Sequence, residues 1–523
     1  MKRRRETAFP RGKPKKTVRE FPPPGDTPLD DTESVMRFRK IKAAFPREAL
    51  EEAGRARATE ADAKGRLDLR KEFVFTCDPQ SARDYDDALS VKKLRGGAVT
   101  LGVHIADVSH FVREGGALDR EARRRSTSVY FADRVVPMLP EALSNGLCSL
   151  VPGEDRLAFS VFMTFDREGR MISRSFAKSV IRSKARYTYE QVMRVISQGP
   201  KARDGFAGRK ERAAILEIAA LAAKLRARRF EAGALDIEIP ELQIVLDAEG
   251  ELSAVEARPY DESHQMVEEC MVAANEAVAA ELWTKGVKIL ARLHEPPDEE
   301  KLEMLSADMA ALGVSTGDLS SRKAFSRFAS SIKGHPLYPT MAVMVLRSMK
   351  RAVYDSTKIG HWGLAKRFYA HFTSPIRRYP DLVLHRQLSA YLAGRDCRIP
   401  PKTLAKMAEH ATFAEENAAE AERDLAEIKK YRLLDAQSRM RDATAYDAVV
   451  SRCMPFGCFV EIPCLAVSGL VNIARLSRSY VRFDEARGVL SARGGAEWKT
   501  GTAMKVKVAG VDWRLRRVDF VPC

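Results

Sequence analysis

The sequence contains no run of 18 or more apolar residues, and no apolar stretch near its N-terminus resembles a secretory signal. It therefore predicts neither a membrane-spanning helix nor secretion. Its eight cysteines are scattered without a C-x-x-C pair, so neither a disulfide scaffold nor a zinc site is indicated. We expect buried thiols in a reducing, cytoplasmic compartment and no membrane partner.

Acidic residues are outnumbered by basic ones. The 88 Lys and Arg against 71 Asp and Glu leave a net charge of +17. A surplus of this size favours a polyanionic partner through phosphate contacts and counterion release, with an anionic membrane surface as the rival. The chain is also too long for one core of ordinary size, so about two to four domains are expected.

The composition and the residue pattern of the sequence change several times along its length. Residues 1–34 are rich in charge and proline and predict a disordered, basic tail, and residues 35–65 read as a helical lead-in segment. In residues 66–440, short β-branched and aromatic runs such as KEFVFTCD and AVTLGVHIADV precede long helical patterns such as HQMVEECMVAANEAVAAELW. These patterns predict one large α+β domain, with subdomains or a fold closed around a channel.

Residues 441–523 return to strand-like patterns. Short strands with an F-G-C-F turn predict a five-stranded β-barrel of the OB type, a fold that binds single-stranded nucleic acid on its open face. Phe456 and Phe459 in this turn are candidate RNA-binding residues. A purely structural β-cap is the alternative.

Four aspartates, Asp78, Asp84, Asp86 and Asp87, fall within ten residues between two predicted strands. Carboxylates this close repel one another, and burying them requires a compensating cation. All-oxygen ligand sets suit Mg²⁺ or Mn²⁺, which often serve in phosphodiester hydrolysis. A solvated acidic loop or a calcium loop is the alternative, although an EF-hand is excluded because the frame lacks the glycine at position six and the glutamate at position twelve.

At these aspartates the chain resembles the RNB family of ribonuclease II and ribonuclease R. The resemblance runs from about Ile41 to the C-terminus, through LGVHIADVSHFV, VIRSKARYTY, HQMVEECMVAAN, SPIRRYPDL and a terminal S1-type RNA-binding domain. It implies a catalytic domain with a mixed sheet surrounded by helices around an RNA channel. It also implies a processive 3′-to-5′ exoribonuclease, acting in RNA turnover or processing, that hydrolyses single-stranded RNA with a free 3′ end to nucleoside 5′-monophosphates and leaves a short oligonucleotide.

The resemblance assigns roles to residues of two motifs. The aspartate tetrad is expected to hold Mg²⁺, with Mn²⁺ as a substitute, in a two-metal scheme, and Asp86 is the acid whose loss should most reduce turnover. Arg377, the first arginine of SPIRRYPDL, is expected to contact the scissile phosphate, and Arg378 to contact RNA. Four neighbours either line the same pocket or hydrogen-bond behind it: His371, Thr373, Ser374 and His385.

Two further positions are assigned by the resemblance. Tyr130, in TSVYF, would by itself be read as a core aromatic; the resemblance implies that it stacks on a nucleotide near the 3′ end and helps set the length of the end product. Glu268 and Glu269, in HQMVEECM, lie where an acid approaches the 3′-terminal ribose. The sequence leaves open which of the two faces the RNA.

Only about 65 residues precede the catalytic block, which leaves no room for the two cold-shock domains of ordinary bacterial members. We therefore expect a short form with weaker, more salt-dependent RNA binding and a wider entrance. A monomer is expected, and association with a degradosome or ribosome stays open. The alternatives are a noncatalytic RNA-binding protein on the same scaffold, which loss of a tetrad acid or of Arg377 would favour, and an endonuclease or DNA-directed nuclease.

Overall fold

The computed structural model describes residues 20–201, 205, 207–237, 239–485 and 487–523. They form two compact units, one of Ile41–Ala426 and one of Glu427–Cys523 with the described part of Met1–Lys40. Most of the predicted basic tail, residues 1–19, lies outside the described residues. Within the described ranges, no helix is long and apolar enough to cross a membrane.

Helices form most of the chain between residues 189 and 438. They are α1 Asp31–Phe38, α2 Arg47–Arg55, α3 Glu60–Ala63, α4 Val108–Phe111, α5 Ala117–Arg125, α6 Tyr189–Gln198, α7 Arg209–Glu231, α8 Glu262–Thr284, α9 Glu299–Ala311, α10 Arg322–Ser331, α11 Tyr338–Ser348, α12 Tyr379–Leu392, α13 Pro401–Ser438 and α14 Ile473–Leu476.

Strands are concentrated at the two ends of the chain. They are β1 Leu67–Asp68, β2 Phe75–Asp78, β3 Asp87–Lys93, β4 Val99–Ala106, β5 Val129–Tyr130, β6 Val135–Val136, β7 Asp155–Phe165, β8 Met171–Arg182, β9 Ala185–Thr188, β10 Leu242–Leu246, β11 Leu252–Ala257, β12 Ala291–Leu293, β13 Val353–Asp355, β14 Tyr446–Met454, β15 Gly457–Ile462, β16 Val467–Asn472, β17 Val481–Asp484, β18 Val489–Ala492, β19 Glu497–Trp498, β20 Ala503–Asp512 and β21 Arg517–Pro522. Strands and helices together confirm the predicted α+β content.

The first unit is built on a mixed sheet with the order β1-β8-β7-β4-β3-β2-β9. Its central strand β4 is buried along almost its whole length, because both faces of the sheet are covered. On one face Leu101 and Val103 pack in the same cluster as Cys270 of α8. On the other face Ala106 packs in the same cluster as Leu118 of α5. This two-sided burial gives the strand ends a rigid support.

In the second unit, strands close a barrel in the order β14-β15-β16-β21-β20. The connection between β16 and β20 carries α14 and a small antiparallel sheet, β17-β18-β19. The OB class and the RNA-binding use of this barrel stay predictions.

The prediction that residues 1–34 are disordered is wrong for residues 28–34, which are helical. Pro28–Asp30 form a 3₁₀ turn and α1 begins at Asp31, which is fully buried. The Asp31 carboxylate forms ion pairs with Lys429 at 3.0 Å and with Arg432 at 2.8 Å. Both of these basic residues lie in the C-terminal part of α13. Composition could not reveal this order, because the stabilising cations lie about 400 residues away in the sequence.

Candidate active site

The four aspartates lie at one end of two neighbouring strands. Asp78 is the last residue of β2 and Asp87 the first of β3, and these strands are antiparallel neighbours, so the loop between them places Asp84 and Asp86 beside both ends. Ser149 fixes this loop. Its hydroxyl accepts from Tyr85 N at 3.0 Å and donates to the Arg83 carbonyl at 2.7 Å.

Asp86 contacts the segment that contains Arg377. The Asp86 side chain is buried, its Oδ1 accepts from the backbone N–H of Ile376 at 2.9 Å, and its Oδ2 lies 3.7 Å from Nε of Arg377. The Arg377 side chain is 43% exposed, and its Nη2 donates to the Ser374 hydroxyl at 3.2 Å. The guanidinium therefore lies beside the buried acid while part of it still faces open space.

Three of the acids have raised pKa values. Burial raises the pKa of Asp86 well above its usual range, although the positive charge of Arg377 opposes the shift. Burial also raises the pKa of Asp87 against the opposing charges of Arg377 and Arg378. For Asp78 the raised pKa is caused first by burial and then by the negative charge of Asp87. The site thus gathers more buried carboxyl groups than its arginines can hold in the ionised form.

These closely spaced buried carboxyl groups are candidate metal ligands. In the described part of the chain, no group of three or more His, Cys, Asp or Glu side chains is arranged around a single metal position. However, Oδ2 of Asp78 is buried and has no hydrogen-bond partner among the described residues. A buried carboxylate oxygen without a donor, next to acids of raised pKa, fits a hard divalent cation such as Mg²⁺.

The second arginine of the motif is placed differently from the first. Nη2 of Arg378 donates to Oδ1 of Asp381 at 2.7 Å, and the Arg378 side chain is 18% exposed. The same Asp381 oxygen accepts from the backbone N–H of Ser374 at 2.9 Å. Arg378 therefore holds Asp381, and Asp381 in turn fixes the backbone of the motif at Ser374, shortly before α12. Of the other predicted neighbours, His385 is fully buried and its Nε2 contacts the Phe372 carbonyl at 2.8 Å, which is a supporting position.

A cavity of about 1900 Å³ lies against the tetrad loop. Its wall combines acids, aromatic rings and arginines, including Asp84, Tyr130, Tyr189, Arg226, Arg229, Arg258, Tyr260, His264, Glu268 and Ile376. A volume of this size accommodates several nucleotides or a comparable polyanion, since ordinary small-molecule pockets measure roughly 300–1,000 Å³.

Tyr130 lies at the edge of this cavity and not in the core. Its side chain is 37% exposed, and its hydroxyl donates to Oδ2 of Asp84 at 3.4 Å. Its backbone N–H donates to Oε1 of Glu422 at 2.9 Å. The ring is therefore both accessible and held next to the tetrad.

The two adjacent glutamates of α8 lie in different environments. Glu269 is buried in an ion pair with Arg229, whose Nε donates to Oε1 of Glu269 at 2.9 Å. Glu268 lines the cavity, with Oε1 at 3.2 Å from Nη2 of Arg229, and it also accepts from the Tyr260 hydroxyl. Of the two acids, Glu268 is thus the one at the cavity surface.

Tyr189 and His264 are cavity residues that the sequence did not identify individually. Their rings stack with centroids 3.9 Å apart and an interplanar angle of 15°. Tyr189 begins α6 directly after β9, whose Thr188 is paired with Asp78, so the strand pairing places the ring near the tetrad. The sequence could have placed Tyr189 near the tetrad only if it had also predicted that β9 pairs with β2.

Comparisons with known proteins show the family of the chain. The model of the RNB domain matches residues 66–394. The chain belongs to the RNB family. This RNB chain is 40% identical to Thermotoga maritima ribonuclease R over 517 residues, covering 95% of this chain and 71% of that protein. It is 35% identical to Escherichia coli ribonuclease R, covering 93% of this chain and 61% of that protein.

Solved RNB structures show the same fold. A structure of Mycoplasma genitalium RNase R in complex with ribose-methylated single-stranded RNA matches with a TM-score of 0.86 and 27% identity, covering 95% of this chain and 78% of that one. The matched RNB domain contains the tetrad, Tyr130, Glu268 and Arg377. Phe456 and Phe459 lie outside it, at the β14–β15 turn and on β15, where their rings are 6.2 Å apart and edge to face.

Proposed function

We propose that this RNB protein is a divalent-metal-dependent 3′-to-5′ exoribonuclease that degrades single-stranded RNA processively to nucleoside 5′-monophosphates and leaves a short oligonucleotide. The exoribonuclease class is that of the family to which the chain belongs. The observation that carries the proposal is the position of Arg377, partly exposed beside buried Asp86, with the preceding residue Ile376 in the wall of a large cavity.

Asp78, Asp84, Asp86 and Asp87 are the residues that would hold Mg²⁺ or Mn²⁺. When bound, such ions lower the pKa of an attacking water and neutralise charge on the departing 3′ oxygen. The chain's own contribution is to keep these acids in place. Ser149 and the backbone N–H of Ile376 fix the loop and the Asp86 carboxylate, so the oxygens do not need to reorganise during the reaction.

Arg377 is proposed to bind the scissile phosphate. Its fork of donors matches phosphoryl oxygens, and charge that develops on them in the transition state strengthens the contact. Asp86 and the Ser374 hydroxyl orient the guanidinium from one side. Its exposed part is left for the substrate.

Recognition of the RNA end is assigned to the cavity wall. Tyr130 is proposed to stack on a base close to the 3′ end, and Glu268 to accept a hydrogen bond from a 2′-hydroxyl, the group that distinguishes RNA from DNA. If so, Tyr130→Ala should change the length of the end product, whereas Tyr130→Phe should preserve it, as read on a denaturing gel.

The C-terminal barrel is proposed to be an S1-type OB domain that gathers single-stranded RNA, with Phe456 and Phe459 as base-stacking residues. Support comes from the closed order of its strands and from the 46% exposure of Phe456 at the hairpin turn.

One digestion experiment tests the proposal. A 5′-labelled linear RNA, the DNA of the same sequence and a circular RNA are incubated with the protein and Mg²⁺. We expect a shrinking ladder that ends at a short oligomer for the linear RNA, with the circle and the DNA intact. Cleavage of the circle would indicate an endonuclease instead. An RNA that is bound but never shortened would favour the noncatalytic RNA-binding alternative.

A further inference from the structure

The small sheet β17-β18-β19 has an exposed face with an aromatic ring between two arginines. Tyr480 is 78% exposed, the largest exposed fraction among the large apolar side chains of the described residues. The backbone N–H of Arg493 donates to the Tyr480 carbonyl at 3.1 Å, which continues the pairing of Val481 with Ala492 by one residue. Tyr480 and Arg493 are therefore opposite each other in the sheet.

Strand alternation places Arg482 on the same face. Val481 and Ala492 are buried, whereas Tyr480, Arg482 and Arg493 are exposed, so the three exposed side chains point away from the barrel. Directly opposite residues have Cβ atoms about 4.5–5.5 Å apart, and diagonal neighbours are roughly 7–8 Å apart. Both guanidinium groups can thus reach a ligand that covers the ring. We call these three residues the Tyr480 face.

The charges of the Tyr480 face are available for a ligand. Among the described residues, the side chains of Arg482 and Arg493 have no hydrogen bond or ion pair. The acid nearest in the pairing, Glu497, lies opposite Ser491, accepts from its hydroxyl at 3.3 Å and is 4.0 Å from Nη1 of Arg487. The ring and both guanidinium groups are therefore open to solvent on one face.

We propose that the Tyr480 face is a binding site for single-stranded RNA, in which one base stacks on Tyr480 and Arg482 and Arg493 contact the adjacent phosphates. An exposed aromatic ring flanked by cations is the combination that binds single strands without sequence preference. The proposal rests on RNA being the substrate, as proposed above. It adds a contact outside the matched RNB domain and separate from Phe456 and Phe459.

The test measures RNA affinity in the full-length chain, with Asp86→Asn in every variant so that the RNA stays intact. The probe is a fluorescent oligouridylate longer than the roughly 4–16 nucleotides that one barrel occupies. We expect Tyr480→Ala to raise Kd by about 5- to 160-fold, because stacking on one aromatic ring contributes that range per base. Tyr480→Phe should bind nearly as tightly as the unchanged protein.

The arginines are tested by salt dependence. In Arg482→Ala/Arg493→Ala, the slope of log Kd against log salt should become shallower by about 1.4, as expected for two lost phosphate contacts on a single strand. Urea unfolding with the midpoint of the parent excludes a loss of fold as the cause, since an unfolded barrel unit would lose its other phosphate contacts as well. Leu515→Ala, at another exposed apolar position of the barrel unit, is the matched control and should leave both readouts unchanged.

The outcomes separate this proposal from the proposed function. If Tyr480→Ala and the double arginine variant bind RNA as tightly as their parent, the Tyr480 face is not an RNA site, and a protein partner becomes the better occupant. RNA degradation by the chain with native Asp86 is scored independently in the digestion experiment. Its failure would reject the exoribonuclease but not a measured loss of RNA binding at Tyr480.

Discussion

Nε of Arg377 lies 3.7 Å from Oδ2 of Asp86, and the residue before Arg377 donates its backbone N–H to the other oxygen of the same carboxylate. One buried acid is thus held by two consecutive residues of the SPIRRYPDL segment. The contact joins the tetrad loop to the start of α12, and this relationship gives the first prediction.

Replacing either member of this pair should reduce turnover far more than RNA binding. We expect Asp86→Asn and Arg377→Ala each to lower kcat by about 10²–10³-fold or more, as for the loss of a transition-state donor, while Kd for RNA changes little. Single-turnover kinetics and fluorescence anisotropy measure the two quantities. Arg47→Ala, at a highly exposed arginine, is the control. A proportional loss of binding and turnover in Arg377→Ala would contradict a role at the scissile phosphate.

The adjacent acids of α8 should give different phenotypes. Glu268→Ala should lower the preference for RNA over DNA by about 10-fold or more, because it removes a charged acceptor for the 2′-hydroxyl. Glu269→Ala should instead destabilise the fold by about 3–5 kcal/mol, since it leaves Arg229 buried with only its weaker partner. Relative Kd values for matched RNA and DNA, measured with Asp86→Asn in every variant, together with urea unfolding, distinguish the two. Equal effects of both substitutions on discrimination would argue against the assignment.

The buried ion pairs of Asp31 in the N-terminal segment should contribute to the free energy of unfolding. Asp31 and Lys429 have side chains that are 0% and 2% exposed, so Asp31→Asn should cost about 3–5 kcal/mol by removing the buried negative charge that Lys429 and Arg432 contact. Urea unfolding of the full chain, followed by tryptophan fluorescence, measures the loss. Asp26→Asn, a few residues away on an exposed aspartate, is the matched control. Identical midpoints for both variants would show that the buried pair does not stabilise the unit.

Metal removal should make stability depend on pH. The pKa values of Asp78, Asp86 and Asp87 are raised above the ordinary value of 3.8, mainly by burial. The folded state then binds more protons than the unfolded state, so these groups stabilise at low pH and this contribution is lost as pH rises above about 4.

In the presence of EDTA we therefore expect Tm to fall between about pH 5 and pH 8, and Mg²⁺ to restore it at the upper end. Differential scanning calorimetry with and without Mg²⁺ measures both effects. Asp78→Asn should weaken the pH dependence. A Tm that does not respond to Mg²⁺ at pH 8 would count against metal binding by the tetrad.

Much of the site could be predicted from the sequence because its residues occur in short motifs. Asp78 and Asp87 end and begin strands as the residue pattern predicts, and Tyr130 lies beside the tetrad. The choice between Glu268 and Glu269 could not be predicted, because it depends on Arg229 from another helix. The order around Asp31 also depends on distant partners. In both cases ion pairs with residues far along the sequence decide the environment, and no local pattern encodes them.

The sharing of Arg229 between Glu268 and Glu269 has an electrostatic consequence for the cavity wall. An acid facing a passage for a polyanion would normally repel each phosphate that approaches it. Arg229 offsets one of the two carboxylate charges, so the two glutamates and their arginine together carry one net negative charge instead of two, while the carboxylate oxygens of Glu268 remain able to accept a hydrogen bond at close range. The wall thus repels a polyanion less than two unpaired acids would, which suits the proposed contact of Glu268 with a 2′-hydroxyl.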